Sequence, residues 1–134
     1  MPEVHRVEGC LFCDRADPEK HRIIRESPNF YARWDNFPVS QGHAEVVPKR
    51  HIVSFFALTS GELAELYELM TSVYLEIKTR YRPDGFNIGI NEGEAAGRTV
   101  HHLHVHIIPR YAGDVPNPRG GIRNIIPEKG DYKG

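Results

Sequence analysis

The chain has 134 residues, a net charge of −1 and a pI near 6.7. That length fits one domain with a core of its own, 1–134, and the near-neutral charge argues against a surface that wraps nucleic acid or lies on a membrane. The polar start, Met1 to Arg6, leads into no long apolar run, so the expectation is a cytoplasmic protein without signal peptide or membrane span.

Residues 1–9 read as a loose terminus. The chain's two cysteines, Cys10 and Cys13, stand three apart, and in a cytosolic protein that spacing suggests metal or redox chemistry more than a structural disulfide. Cys10 to Ala16 reads as a short helix ended before Pro18. Arg22 to Glu26 and Asn29 to Trp34 are β-rich runs parted by Ser27 and Pro28, the pattern of a hairpin. A loop over 35–42 leads to a third strand, Ala44 to Val47, closed by Pro48. Residues 51–58 read as loop with a helical turn.

Thr59 and Glu62 fit a capping box. Beyond it Leu63, Leu66, Met70, Val73 and Ile77 recur at three- and four-residue steps, one apolar stripe of a helix that continues to about Tyr81. Glu62, Glu65 and Glu68 read as its solvated face. Arg82 to Gly85 is a turn, Phe86 to Asn91 a fourth strand, and residues 92–97 a glycine-bearing loop. About five short strands and one long helix without βαβ alternation predict an α+β domain, an antiparallel sheet with the helix packed on it. From about residue 111 the chain turns irregular, with three glycines and two prolines between Gly113 and Ile122.

Four of the eight histidines lie between Arg98 and Arg110. His102, His104 and His106 alternate with Leu103, Val105 and Ile107, which reads as a strand with three imidazoles on one face; Pro109, lacking an N–H, should end its ladder. The Cα atoms of His102 and His106 would lie ~13 Å apart, so three parallel rings cannot share one ion, although two neighbours could. The row suits an extended anionic substrate, with one imidazole attacking and another donating, because histidine titrates near neutral pH.

His102 to Ile108 resembles the signature of the histidine-triad family of nucleotide hydrolases and transferases. The similarity extends to Asn91 to Val100, Trp34 to His43 and Val47 to Ile52, and runs from about Cys10 to Arg110. It implies a histidine-triad-like sheet with the nucleotide on its histidine face, a small-molecule nucleotide as partner, and a homodimer. His104 is then the nucleophile, forming a nucleotidyl-histidine that water resolves; its other ring nitrogen needs a carbonyl acceptor to fix the tautomer. His106 holds phosphate oxygens or protonates the leaving group, and His43 helps to orient the triad. Asp35 matches the position that meets the ribose hydroxyls. Asn91 and Thr99 match phosphate-contacting positions. Arg98 stands where several relatives carry Gln; His101 points away from the triad face and is given no role.

Cys10, Cys13, His51 and His102 make a closed tetrahedral set for a structural zinc, as in several bacterial-type relatives; the alternative is two reduced cysteines and no metal. A polyphosphate substrate would bring Mg2+ with it. Arg110, Arg119 and Arg123 could lay their guanidinium forks along that polyphosphate, or be solvated or contact a dimer partner. The similarity is greatest to the dinucleoside-polyphosphate hydrolase branch. A purine nucleoside phosphoramidase and a non-catalytic nucleotide- or zinc-binding adaptor are the competing readings, and His106 speaks against a phosphorylase branch that carries Gln there.

Overall fold

The computed structural model describes residues 6–15 and 18–132. Its sheet has five strands: β1 (Ile23–Glu26), β2 (Phe30–Trp34), β3 (Ala44–Pro48), β4 (Gly85–Gly89) and β5 (Val105–Arg110). All neighbouring pairs are antiparallel, in the order β1-β2-β3-β5-β4. A one-turn helix, α1 (Pro18–His21), precedes β1, and the long helix α2 spans Ser60–Tyr81.

The period-2 and period-3.6 patterns meet on one face of this sheet. Leu66, Leu69, Val73 and Ile77 of α2 are buried against Phe30, Ala32, Ala44, Val46, Val105 and Ile107; each such large side chain contributes ~1.5–3 kcal/mol when fully buried. The capping box forms in both directions: Thr59 Oγ1 accepts from the Glu62 amide at 3.1 Å, and the Glu62 carboxylate accepts from the Thr59 amide at 2.9 Å. Arg82 ends the helix in the left-handed conformation, φ 53°, and Pro83 follows.

Four expectations are corrected. The acidic residues of α2 are not simply a solvated face. Glu65 accepts from the Asn29 amide and side chain at 2.7 and 2.8 Å and from Ser27 Oγ, so it ties the helix to the β1–β2 turn, whose donors have no ladder partner. Glu62 takes two 2.8 Å hydrogen bonds from Arg50; only Glu68 is exposed. Next, residues 11–13 form a turn and the helical turn comes later, at Pro18–His21; the far end of the expected helix, Ala16, lies outside the described residues.

The triad strand begins only at Val105. His102 and His104 lie ahead of it, in a segment whose amides bond locally, from His102 N to Val100 O at 2.9 Å, and to the loop, from Leu103 N to Ile52 O at 2.7 Å. Finally, Pro109 does not end β5, which runs on to Arg110 with Pro109 paired to Phe86. Beyond Ile107 the β3 side of β5 has no strand, and there Ser40 Oγ donates to Pro109 O at 2.6 Å, so the missing N–H breaks no ladder bond.

The opposite face of the sheet carries the histidines. Phe12, Tyr31 and Val47 form a second, smaller cluster there, and Tyr31 OH donates to Phe12 O at 2.7 Å. Cross-strand register places Arg33, Glu45, His106 and Gly89 in one row. Gly42, φ +90°, turns the chain two residues ahead of β3, where a Cβ would stand 2.7 Å from the Tyr81 ring. No helix among the described residues is long and apolar enough to cross a membrane.

Candidate active site

Three imidazoles meet at the β3–β5 junction. The ring centroids of His104 and His106 are 5.0 Å apart, and those of His43 and His106 5.1 Å. His102 is not part of this group, because Phe12 packs edge-on between it and His104, at 5.9 and 4.9 Å. Main-chain groups then fix how each ring carries its proton. His104 Nδ1 lies 2.8 Å from the His102 carbonyl, which can only accept, so Nδ1 bears the hydrogen and Nε2 keeps a lone pair. The Val39 amide donates to His43 Nδ1 at 3.1 Å, which puts the His43 proton on Nε2. That nitrogen stands 2.9 Å from His106 Nδ1 and donates to it, so His106 presents an Nε2–H. One ring offers a lone pair and its neighbour a donor.

Burial holds the rings neutral. It lowers the pKa of His104 and of His43, and it takes His106 down to about 4, with further repulsion from His104 and His43. A neutral His104 is a nucleophile without prior deprotonation. The approach of His106 Nδ1 to Glu45 Oε2, 3.9 Å, is therefore not an ion pair.

Arg33 and Glu45 went unassigned in the sequence, yet both are buried beside these rings. Arg33 Nη1 donates to Glu45 Oε1 at 3.2 Å and Nε to His21 O at 3.0 Å, and its guanidinium lies 5.1 Å from the Phe12 ring centroid. Burial and the nearby Asp35 carboxylate push Glu45 up to about 7, against the pull of Arg33. The available signal was a charged residue at an interior position of each of two β-rich runs, both falling on the histidine side by alternation. Asp35 sits against the same group: Oδ2 is 3.5 Å from His43 Nε2, and Oδ1 accepts from the Phe37 amide at 2.7 Å.

A cleft of about 610 Å³ opens from His43 and His106 and is lined by Asn91 and Gly97. Thr99 is not brought into it; it lines a separate groove with Cys10, His51 and His101. Arg98 Nη2 lies 3.2 Å from His101 Nδ1, and its positive charge acts on His104. The tail arginines do not extend into the cleft. Arg110 is held by Asp114 and Asn87, Arg119 by Asp131, and Arg123 by the carbonyls of Lys129 and Gly130. Each guanidinium finds a partner within or next to the tail, which folds on itself.

Apart from the three central imidazoles, Cys10, Cys13, His51 and His102 point one donor atom each into a common space, all within 4.8 Å of one another. Cys10 Sγ and Cys13 Sγ lie 3.3 and 3.5 Å from His102 Nδ1, and Cys13 Sγ lies 3.3 Å from His51 Nδ1. Tetrahedral zinc with its usual bond lengths separates a sulfur from a nitrogen by about 3.5 Å. His102 Nε2 donates to Pro48 O at 2.8 Å, leaving Nδ1 unprotonated toward the sulfurs, the tautomer a metal requires. The four residues therefore fit a structural zinc. Asp35, His43 and His106, and Glu45, His104 and His106, are also close enough for metal, but both sets lack sulfur and use imidazoles of the central group.

An antiparallel sheet backed by one helix, with tautomer-fixed imidazoles on its open face, defines a histidine-centred α+β protein. The chain belongs to the HIT family: the HIT domain matches residues 17–113. A HIT family protein from Bacillus anthracis has a similar crystal structure, with 35% identity and a TM-score of 0.74 over 80% of this chain and 77% of that one. A zinc-bound histidine triad family protein from Mycobacterium smegmatis is 32% identical with a TM-score of 0.69, covering 81% and 80% of the two chains. The AP-4-A phosphorylase of Mycobacterium tuberculosis is 38% identical over 97 residues, which are 72% of this chain and half of that protein.

Proposed function

We propose that the protein hydrolyses dinucleoside polyphosphates, of the diadenosine tetraphosphate kind, at the α-phosphorus through a nucleotide bound to His104. One observation carries this reading: the His102 carbonyl holds His104 Nδ1–H, so that Nε2 stands unprotonated beside the Nε2–H donor of His106. His104 Nε2 forms a bond to phosphorus as the bond to the leaving oxygen breaks. His106 donates to the phosphate oxygens, His43 sets the tautomer of His106, and Asn91 and Arg98 are assigned to the phosphate by family resemblance. Water then attacks phosphorus, the P–N bond breaks, and His104 regains its lone pair. Asp35 is assigned to the ribose and Thr99 to the phosphate by family resemblance alone. Mg2+ enters, in this reading, with the polyphosphate.

The likeness to an AP-4-A phosphorylase favours a second reading, in which inorganic phosphate replaces water in the second step. Structural zinc at Cys10, Cys13, His51 and His102 is proposed on their fit to a tetrahedral ion and on the zinc-bound relative. A cytoplasmic homodimer is proposed on family resemblance, with light scattering as its test.

The experiment is a substrate panel of dinucleoside polyphosphates and nucleoside phosphoramidates, run with and without phosphate, on wild type and His104→Ala. Wild type should release a nucleoside monophosphate, and His104→Ala should lose at least about 10³-fold in rate. Mass spectrometry of quenched wild type should find a nucleotide on His104. A dependence on phosphate, with a diphosphate product, selects the phosphorylase reading. Turnover by His104→Ala at near-normal rate removes the mechanism.

A further inference from the structure

The segment beyond the matched HIT domain is not an unstructured appendage. Residues 121–125 and 127–129 form two short 3-10 helices, and the arginines tie them together. Arg123 donates to Gly130 O and Lys129 O at 3.1 and 2.9 Å; Arg119 pairs with Asp131 at 3.2 Å; both guanidinium groups stack on Tyr132, 5.3 and 5.1 Å from its ring centroid. With these cations engaged by the tail's own groups, the tail presents Ile122, Ile125 and Ile126 to the cleft that starts at His43 and His106. These side chains are 58%, 78% and 54% exposed, an arrangement that leaves apolar surface in water next to a reactive group. Ile108 of β5 forms the facing wall.

Direction follows from the order of the rings. His104 has Phe12 on one side and His106 on the other, and the cleft lies beyond His106. In an in-line displacement the attacked and departing bonds are opposed, so a group leaving phosphorus away from His104 moves over His106 toward the isoleucines. We propose that this tail-walled cleft is the leaving-group site and that it takes a flat aromatic group attached through the phosphorus. The inference rests on the nucleotide reading above and deepens it: the leaving half is recognised by its ring, such as a second nucleobase or an arylamine, and not by its phosphate charges.

The test is equilibrium binding, so that it does not depend on turnover. Two inert probes are adenosine 5′-methylphosphonate and adenosine 5′-(naphthylmethyl)phosphonate, whose P–C bonds His104 cannot displace. Wild type should bind the naphthylmethyl probe about tenfold more tightly or better, as burying an apolar group in a fitted pocket gives. Ile125→Ser with Ile126→Ser should bring the two probes within about twofold while leaving the methyl probe unchanged. Ile125→Trp, which enlarges the wall, should widen the preference, and it guards against a serine variant that fails to fold. A preference that survives the serine substitutions, or an equal loss for both probes, would overturn the proposal. So would conversion of a dimer to a monomer by the same substitutions in light scattering, which would make this face a contact between copies. A tail-dependent preference in a protein without nucleotide turnover would keep the cleft and remove the activity.

Discussion

Replacing Arg33 by Met leaves the Glu45 carboxylate buried without its guanidinium, with Glu45 4% and Arg33 2% exposed in the wild type. Breaking a buried pair from one side costs about 3–5 kcal/mol where the remaining group stays charged; Glu45, already raised to about 7, escapes part of that cost by taking up a proton once Arg33 is gone. Glu45→Leu leaves a buried Arg33 in the same position, with Nη1 joining an Nη2 that already has no partner. The double variant Arg33→Met with Glu45→Leu removes both charges. It should be more stable than either single variant and fall short of wild type mainly through the lost donor to His21 O, about 1 kcal/mol. Urea unfolding reads this directly: at ~1.5 kcal/mol per molar, Glu45→Leu, which strands a permanent charge, should lower the midpoint by about 2–3 M, and Arg33→Met by less. The pH dependence adds a second readout. Glu45 has a folded pKa of about 7, raised from 4.5, so the unfolded chain releases its proton first and wild type loses stability as pH rises from 4.5 toward 7. Glu45→Leu should flatten that slope. Singles that cost less than about 1 kcal/mol, or a double variant as unstable as their sum, would mean that the pair is hydrated or uncoupled, and the argument from burial would fail.

Wild type purified without chelator should contain one equivalent of zinc and Cys13→Ser much less; less than a tenth of an equivalent in wild type would rule out the metal centre. Asp35→Ala should bind a ribonucleotide and its dideoxy analogue equally, after a loss of ~1.5–3 kcal/mol for the ribonucleotide; intact sugar discrimination with a slower rate would assign Asp35 to His43, 3.5 Å away. Glu62 is held down to about 2, from 4.5, first by hydrogen bonds from Arg50. Its contribution is therefore present above pH 4.5 and lost as pH falls toward 2. Glu62→Gln should unfold with less pH dependence across that interval, and an unchanged acid limb would show that the pair with Arg50 is fully screened.

The elements that alternation or helical periodicity defines were legible: the first four strands lie within two residues of their expected bounds, β5 starts three residues late at Val105, and Thr59 caps α2 in the expected way. What local pattern could not show was which ring goes where. His102, His104 and His106 have the same spacing, but Phe12, ninety residues distant in sequence, separates the first from the second. The tail failed differently. Its composition announced irregular backbone, and charge suggested phosphate contacts, yet whether Arg119 and Arg123 face a ligand or their own tail depends on where Asp131 and the carbonyls of Lys129 and Gly130 return. Arg33 and Glu45 were visible as residues but not as a pair, since their meeting is a matter of β2–β3 register.

Of the contacts that orient the imidazoles, three are made by the main chain: the carbonyls of His102 and Pro48 and the amide of Val39. A point substitution deletes a side chain but keeps the backbone carbonyl at that position, and any residue but proline keeps the amide. The protons of His102, His104 and His43 are thus set by the path of the chain, and that of His106 by one neighbouring side chain, His43. Side chains lining the cleft can therefore change without disturbing the main-chain contacts of these rings. The substitutions that do reach them are those that shift the backbone itself: proline at position 39, or a bulky side chain at Gly42 that pushes the start of β3 away from Tyr81.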